Sequence, residues 1–172
     1  QLTAKRPLLC IGGSSGAIAA LKQILSVLPR SSRYTICVVL HRHPESEESL
    51  LRLPHSEDMP ALVEPFDKEH LSNGAVYIAP PGYHMLVSQE AVHLSVDSPE
   101  KHSHPSIDVL FQSAAQAFGP GVVGLVLSGA SADGTAGAQD ICEAGGQVLV
   151  QDPQTCENAT MPAATLERVP AA

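Results

Sequence analysis

Three short runs of nearly unbroken hydrophobicity set the limits on what this chain can fold into. Leu8–Ile11 (LLCI), Tyr34–Leu40 (YTICVVL) and Gly121–Leu127 (GVVGLVL) lack the polar alternation of a strand with one wet face. Runs of this length covered on both sides are the mark of parallel strands, which need crossover connections, usually helices, between them. Gln147–Val150 (QVLV) adds a fourth strand. Helical patterns fill the intervals: Ala17–Leu28, stopped before Pro29; a helix opening at Pro105-Ser106 and running to about Phe118; Thr135–Ala144, closed by Gly145-Gly146; and a stretch near Pro162–Arg168. Glu45–Leu53 also reads as helical, and Ser106 is placed as an N-cap with Asp108 in the first turn. From Val63 to Val96, short apolar runs broken by Gly, Pro and Asn predict an antiparallel excursion. The expected fold is α/β: a doubly wound, mostly parallel sheet with helices on both faces and a short antiparallel hairpin excursion. At 172 residues the chain is expected to be one domain.

In such a sheet, ligands meet the loops at the carboxyl ends of the strands. The first strand delivers Gly12-Gly13-Ser14-Ser15-Gly16, the second His41-Arg42-His43-Pro44, and the third Ser128-Gly129-Ala130-Ser131-Ala132-Asp133-Gly134. Serine, histidine and aspartate thus reach one rim from three strands, which is the makeup of a charge-oriented nucleophile. The glycine loop fails as a dinucleotide site, because Ile11 stands where GxGxxG needs glycine and His41 where the ribose needs a carboxylate. No GK[ST] follows for a P-loop. The loop does match GxSxG centred on Ser14, whose Oγ a sharp turn would project while the Ser15 amide faces a developing oxyanion. A plain strand-to-helix turn with a serine cap accounts for the loop about as well. The chain order Ser, His, Asp, with serine on the first strand, is not that of an α/β-hydrolase.

For the base, His41 directly follows its strand, whereas His43 is forced extended by Pro44 and lies further out. Fixed geometry favours His41. His84, after Pro80-Pro81-Gly82, stands near the site or simply in a hairpin, and His55, His70, His93, His102 and His104 sit in polar segments and are read as solvated. Asp108, Asp140 and Asp152 have local explanations in a helix N-terminus, a helix surface and a turn before Pro153. Asp133 remains, with an Asp-Gly turn as its alternative.

A net charge of −8, with no basic run longer than Lys5-Arg6, argues against nucleic acid or an anionic membrane as partner. With 3% aromatic residues and no Trp, stacked-base binding is not expected. No apolar stretch approaches a membrane span, Gln1 does not read as opening a signal peptide, and with no initiator Met the chain is expected to be a piece of a longer protein. The four cysteines form no CxxC and read as reduced residues of a cytosolic protein, with neither disulfide frame nor zinc site.

The stretches IGGSSGAIAAL, VVLHRHP, AVYIAPPGYHM, HPSIDVLF, LSGASADGTAG and AGGQVLVQDP followed by ATMP together resemble the catalytic domain of the CheB-type chemotaxis methylesterases over nearly the whole chain. The resemblance implies a cytoplasmic serine esterase hydrolysing glutamate γ-methyl esters on the helices of a methyl-accepting chemotaxis receptor or similar methylated signalling protein, often with glutamine deamidation. It implies Ser14 as nucleophile, His41 as base, Asp133 as acid, and an oxyanion pocket at Ser15 and Ala130, with no metal or organic cofactor. Ala130 stands where the family usually has methionine, and His104 where an arginine commonly precedes PS[VI]D. Residues 1–172 are expected to be the catalytic domain alone, with neither a receiver domain nor the family's final G-A-V-D strand among them. The LSG-type loop is like that of domains fused to methyltransferase and sensor-kinase modules. Two other readings stay open: a catalytically degenerate signalling module, and a small-molecule esterase.

Overall fold

The computed structural model describes residues 7–41, 51, 57–99 and 103–172. Among them the elements run β1 (Leu8–Gly13), α1 (Ala17–Val27), β2 (Thr35–Leu40), β3 (Ala61–Val63), β4 (Ala75–Ile78), β5 (His84–Val87), β6 (Val92–Ser95), α2 (Ile107–Phe118), β7 (Val122–Val126), α3 (Thr135–Glu143), β8 (Gln147–Val150) and α4 (Thr160–Arg168). Six strands form one sheet in the order β3-β4-β2-β1-β7-β8, with every neighbouring pair parallel.

The unbroken apolar runs become the centre of this sheet because both of their faces are covered. Along β1 and β2, Ile11, Ile36 and Val38 pack under Ala17, Leu21 and Leu25 of α1. The alternate residues Leu8, Cys10, Cys37 and Val39 face the opposite cluster, which Ile107, Leu110 and Phe111 of α2 and Ile141 of α3 complete. Helix α1 ends at Val27, and Leu28 is already extended (ψ 125°), as the following Pro29 requires. Helix α3 is closed as expected, with the amides of Gly145 and Gly146 returning to the carbonyls of Cys142 and Ile141 at 3.0 and 2.9 Å.

One segment departs from expectation. Within Val63–Val96, β5 and β6 pair antiparallel as a separate two-stranded sheet with Met85 opposite Leu94, and His70 and Ala91 form an isolated antiparallel bridge. Strands β3 and β4 instead extend the main sheet in parallel, Leu62 beside Val76 and Val76 beside Ile36. The reason is burial: Val76, Tyr77 and Ile78 are covered on both faces, and the Tyr77 hydroxyl finds polar partners in the Ser72 amide (2.8 Å) and the His70 carbonyl (3.1 Å). The helix expected at Glu45–Leu53 lies, apart from Leu51, outside the described residues.

All four cysteines are free. Cys10 and Cys37 are register partners in the core, where burial pushes the Cys37 thiol up to about 12 and raises Cys10 well above its ordinary value, with Cys37 adding to the effect. Among the described residues no helix is long and apolar enough to cross a membrane. From β1 the chain builds the sheet outward first through β2, and later on the other side through β7. That reversal sets the switch point at the carboxyl end of β1, where a ligand crevice forms in such sheets.

Candidate active site

Ser14 is the first residue beyond β1. Its amide donates to the Ser128 carbonyl (2.9 Å), its carbonyl accepts from the Ala17 amide (3.0 Å), and the chain turns between them into α1. The turn passes through Gly16 in the left-handed region (φ 78°), where a Cβ would also lie 2.4 Å from that of Glu157. Ser14 is half-buried and Ser15 exposed. The Ser15 hydroxyl caps nothing, since Gly16 is the N-cap residue of α1 and no side chain bonds there.

His41 is the first residue beyond β2. Gly13 and Leu40 are register partners, so Ser14 and His41 come next, side by side, and the His41 amide donates to the Gly13 carbonyl at 3.0 Å. The ring's Nε2 lies 2.7 Å from Asp133 Oδ2. The His41 side chain retains 17% exposure, whereas that of Asp133 is fully enclosed.

Four donors converge on the Asp133 carboxylate. Oδ1 accepts from the Ser106 hydroxyl and the Asp108 amide, both at 2.9 Å, and Oδ2 from the Ile107 amide at 2.6 Å as well as from His41. The N-terminus of α2 is therefore capped from outside, by Asp133. Helix α2 returns the contact, because Asp108 Oδ1 accepts from the amides of Gly134 (3.0 Å) and Gly137 (2.7 Å) at the start of α3. The Asp-Gly turn alone does not describe Asp133: its carboxylate is bound to α2 and to His41.

A further serine braces the loops. Ser128 is buried, and its hydroxyl lies 2.6 Å from the Ser15 carbonyl and 3.1 Å from that of Asn158, while it accepts from the Asn158 amide at 3.0 Å. Its own amide donates to Gln151 Oε1 at 3.0 Å. Next to it, a Cβ on Gly129 would meet the flexible end of Met161 (Cε at 2.6 Å, Sδ at 2.9 Å) and the Ser14 Cβ at 3.0 Å, so the glycine lets this loop lie tightly against the serine. Ala130 is exposed beside it, and among the described residues neither the Ser15 nor the Ala130 amide has a hydrogen-bond partner.

Of the three rim residues singled out in the sequence, Ser14 and His41 follow adjoining strands and Asp133 closes the loop between β7 and α3, with His41 and Asp133 in direct contact. Arg42, His43, His55 and His102 lie outside the described residues. His93 and His104 are not simply solvated: the first bonds Ser88 Oγ at 3.0 Å, and the second lays its ring 4.4 Å from that of His84, with a buried Nε2. Ser106 and Ser128 were legible only as a cap and a loop residue, because their partners are 27 and 113 positions away.

Residues 9–172 match the CheB methylesterase family model. The chain belongs to the CheB methylesterase family. A Leptospira interrogans relative is 37% identical over 160 residues, which span 92% of this chain and 83% of that protein. Protein-glutamate methylesterase/protein-glutamine glutaminase 2 of Methanosarcina mazei is 33% identical, over 98% of this chain but only 48% of its own length. The crystal structure of the Thermotoga maritima CheB methylesterase catalytic domain superposes with a TM-score of 0.84 at 27% identity, covering 95% of this chain and 89% of that one. The sheet with its separate antiparallel pair is thus the CheB catalytic fold.

In this CheB-family chain the electrostatics of Asp133 are set by competing effects. Burial pushes its carboxyl upward, but the His41 bond, the amides of Asp108 and Ile107 and the charge of His41 outweigh it and hold the pKa below the ordinary value. The carboxylate therefore stays ionised at neutral pH and keeps a proton on His41 Nε2. Nδ1, with no partner among the described residues, is the nitrogen able to accept one.

Proposed function

We propose that the chain is a serine esterase that demethylates glutamate γ-methyl esters on protein side chains, with Ser14 as nucleophile, His41 as base and Asp133 as the group that orients and supports the imidazole. The observation that carries this reading is the enclosed Asp133 gripping His41 Nε2 at 2.7 Å, which leaves Nδ1 as the basic nitrogen of a residue whose strand neighbour is Ser14. Ser14 Oγ attacks the γ-carbonyl as Nδ1 takes its proton. The amides of Ser15 and Ala130, which have no internal acceptor, supply donors for the oxyanion. Collapse expels the methoxy group, which takes the proton from His41 and leaves as methanol. Water, activated by the same Nδ1, then releases glutamate from the acyl-enzyme. A glutamine side chain would follow the same course with ammonia as leaving group, in keeping with the double name of the Methanosarcina relative. Nucleophile, base and oxyanion donors all come from the chain, so the reaction calls for no cofactor.

The partner we propose is the methylated cytoplasmic helices of a chemoreceptor or related signalling protein, met in the cytoplasm. The chain is read as the catalytic domain of a larger protein that carries receiver, methyltransferase or sensor modules. A fluorophosphonate tests the nucleophile: peptide mass spectrometry should find the adduct on Ser14, and Ser15→Ala should label and turn over much as wild type does. An adduct on Ser15, or none on protein that releases methanol from a glutamyl methyl ester peptide, would overturn the assignment.

A further inference from the structure

We infer that His84 is a positioning residue for this reaction, acting on the triad through Ser106; the inference rests on reading Ser14, His41 and Asp133 as that triad. His84 opens β5, in the hairpin outside the main sheet, and is 2% exposed. A polar ring so placed is costly unless both nitrogens are used, and both are. Nδ1 accepts from the Ser106 amide at 3.1 Å, and Nε2–H donates to the Ser98 carbonyl at 3.0 Å. That pair of bonds defines a neutral imidazole with its proton on Nε2.

Ser106 is where the ring's influence reaches the site. It is fully buried and stands as N-cap residue of α2 with extended backbone (φ −105°, ψ 137°), yet its hydroxyl bonds no amide of its own helix. The hydroxyl goes to Asp133 Oδ1 instead, and the next two amides, of Ile107 and Asp108, go to the same carboxylate. Three of the four donors that fix the carboxylate thus come from consecutive residues, and the acceptor for the first residue's own amide is His84. The His104 ring, tilted 46° at 4.4 Å, packs beside the imidazole, and the Val87 amide ties β5 to Ser113 of α2 at 3.0 Å. If Ser106 moves, the carboxylate turns, and the 2.7 Å contact that aims His41 loosens.

Two near-isosteres separate this role from simple filling of space. In His84→Asn the side-chain oxygen stands where Nδ1 was, two bonds from Cβ, and still receives the Ser106 amide. In His84→Gln the terminal amide stands where Nε2 was, and only the Ser98 contact survives. Positioning predicts that Asn keeps kcat near wild type, whereas Gln loses on the order of ten- to a hundredfold in kcat with KM unchanged. It also predicts that Ser106→Ala and His84→Gln are not additive, because both act on the same carboxylate. Methanol release and the rate of fluorophosphonate labelling, read alongside thermal melting, measure these effects. Gln matching or exceeding Asn in kcat, or additive losses, would overturn the inference. Should His84→Gln not fold, Ser106→Ala with undiminished kcat overturns it equally. His41→Ala is the control: if it keeps wild-type kcat, the triad reading has failed, whereas a dead His41→Ala with active His84→Gln removes His84 alone.

Discussion

Replacing Asp133 by asparagine removes one charge and one acceptor from a carboxylate that serves four donors, and the consequences can be followed atom by atom. If the new NH₂ takes the place of Oδ2, it opposes the Ile107 amide and forces His41 Nε2 to accept. The ring proton then moves to Nδ1, the nitrogen that has to receive Ser14's. If the NH₂ takes the place of Oδ1, the Ser106 hydroxyl can rotate to accept, but the Asp108 amide is left facing a donor. In either orientation one buried N–H loses its acceptor, which costs about 1–3 kcal/mol of stability. The negative charge that supports the imidazolium is lost in both, and in one the tautomer is wrong as well. kcat should therefore fall by about 10²- to 10⁴-fold, the upper figure matching the aspartate-to-asparagine change in serine proteases. Methanol release from a glutamyl methyl ester peptide, corrected for folded fraction by urea titration, gives kcat and stability on the same protein. Adding His41→Ala should cost little more, since the residues act as a unit. A variant that loses the expected stability but keeps wild-type kcat would show that Asp133 serves only to cap α2, and the mechanism would fall.

The depressed pKa of Asp133 carries its own test: a carboxyl held low in the fold contributes fully above its unfolded value of about 3.9 and loses that contribution as pH falls through the folded value. The stability gap between wild type and Asp133→Asn should therefore be constant near neutrality and narrow below about pH 4; a gap that widens on acidification would contradict the assignment. Gly129→Ala should slow turnover more than it weakens folding, because the new methyl group presses on the Ser14 Cβ at 3.0 Å as well as on Met161; unchanged kcat would show that the loop has room. With a net charge of −8, association with a carboxylate-rich receptor helix should strengthen or hold steady as salt is added, and a steep loss of affinity in a salt titration would reveal a basic patch.

The central sheet was legible because burial on both faces leaves a direct mark on composition: YTICVVL admits no solvent-facing residue. Strands β3 and β4 were not, since β3 is a three-residue, half-buried edge and β4 sits among the turn residues that also flank a hairpin. The rim was legible for a related reason, in that parallel topology sends the carboxyl ends of β1, β2 and β7 to one place. What surrounds the rim was hidden. Ser106 and Asp108 obey the local rules for a helix start, and those rules rightly placed them at the head of α2. Local rules choose the partner nearest in sequence, however, and here the hydroxyl of one and the carboxylate of the other are spent across a tertiary contact. The same blindness left His84 undecided between the site and the hairpin, though it belongs to both, and made His104 a solvated residue.

The exchange of aspartates between α2 and α3 separates the history of the triad's members. Asp133 is at once the partner of His41 and the cap of α2, and Asp108 returns the service to α3. Among the described residues, Ser14 Oγ and His41 Nδ1 carry no comparable structural duty. A descendant of this chain that gave up hydrolysis could therefore shed its serine at small cost to folding, yet would still be held to its aspartate. The presence of that aspartate thus records the docking of two helices, whether or not the chemistry is kept.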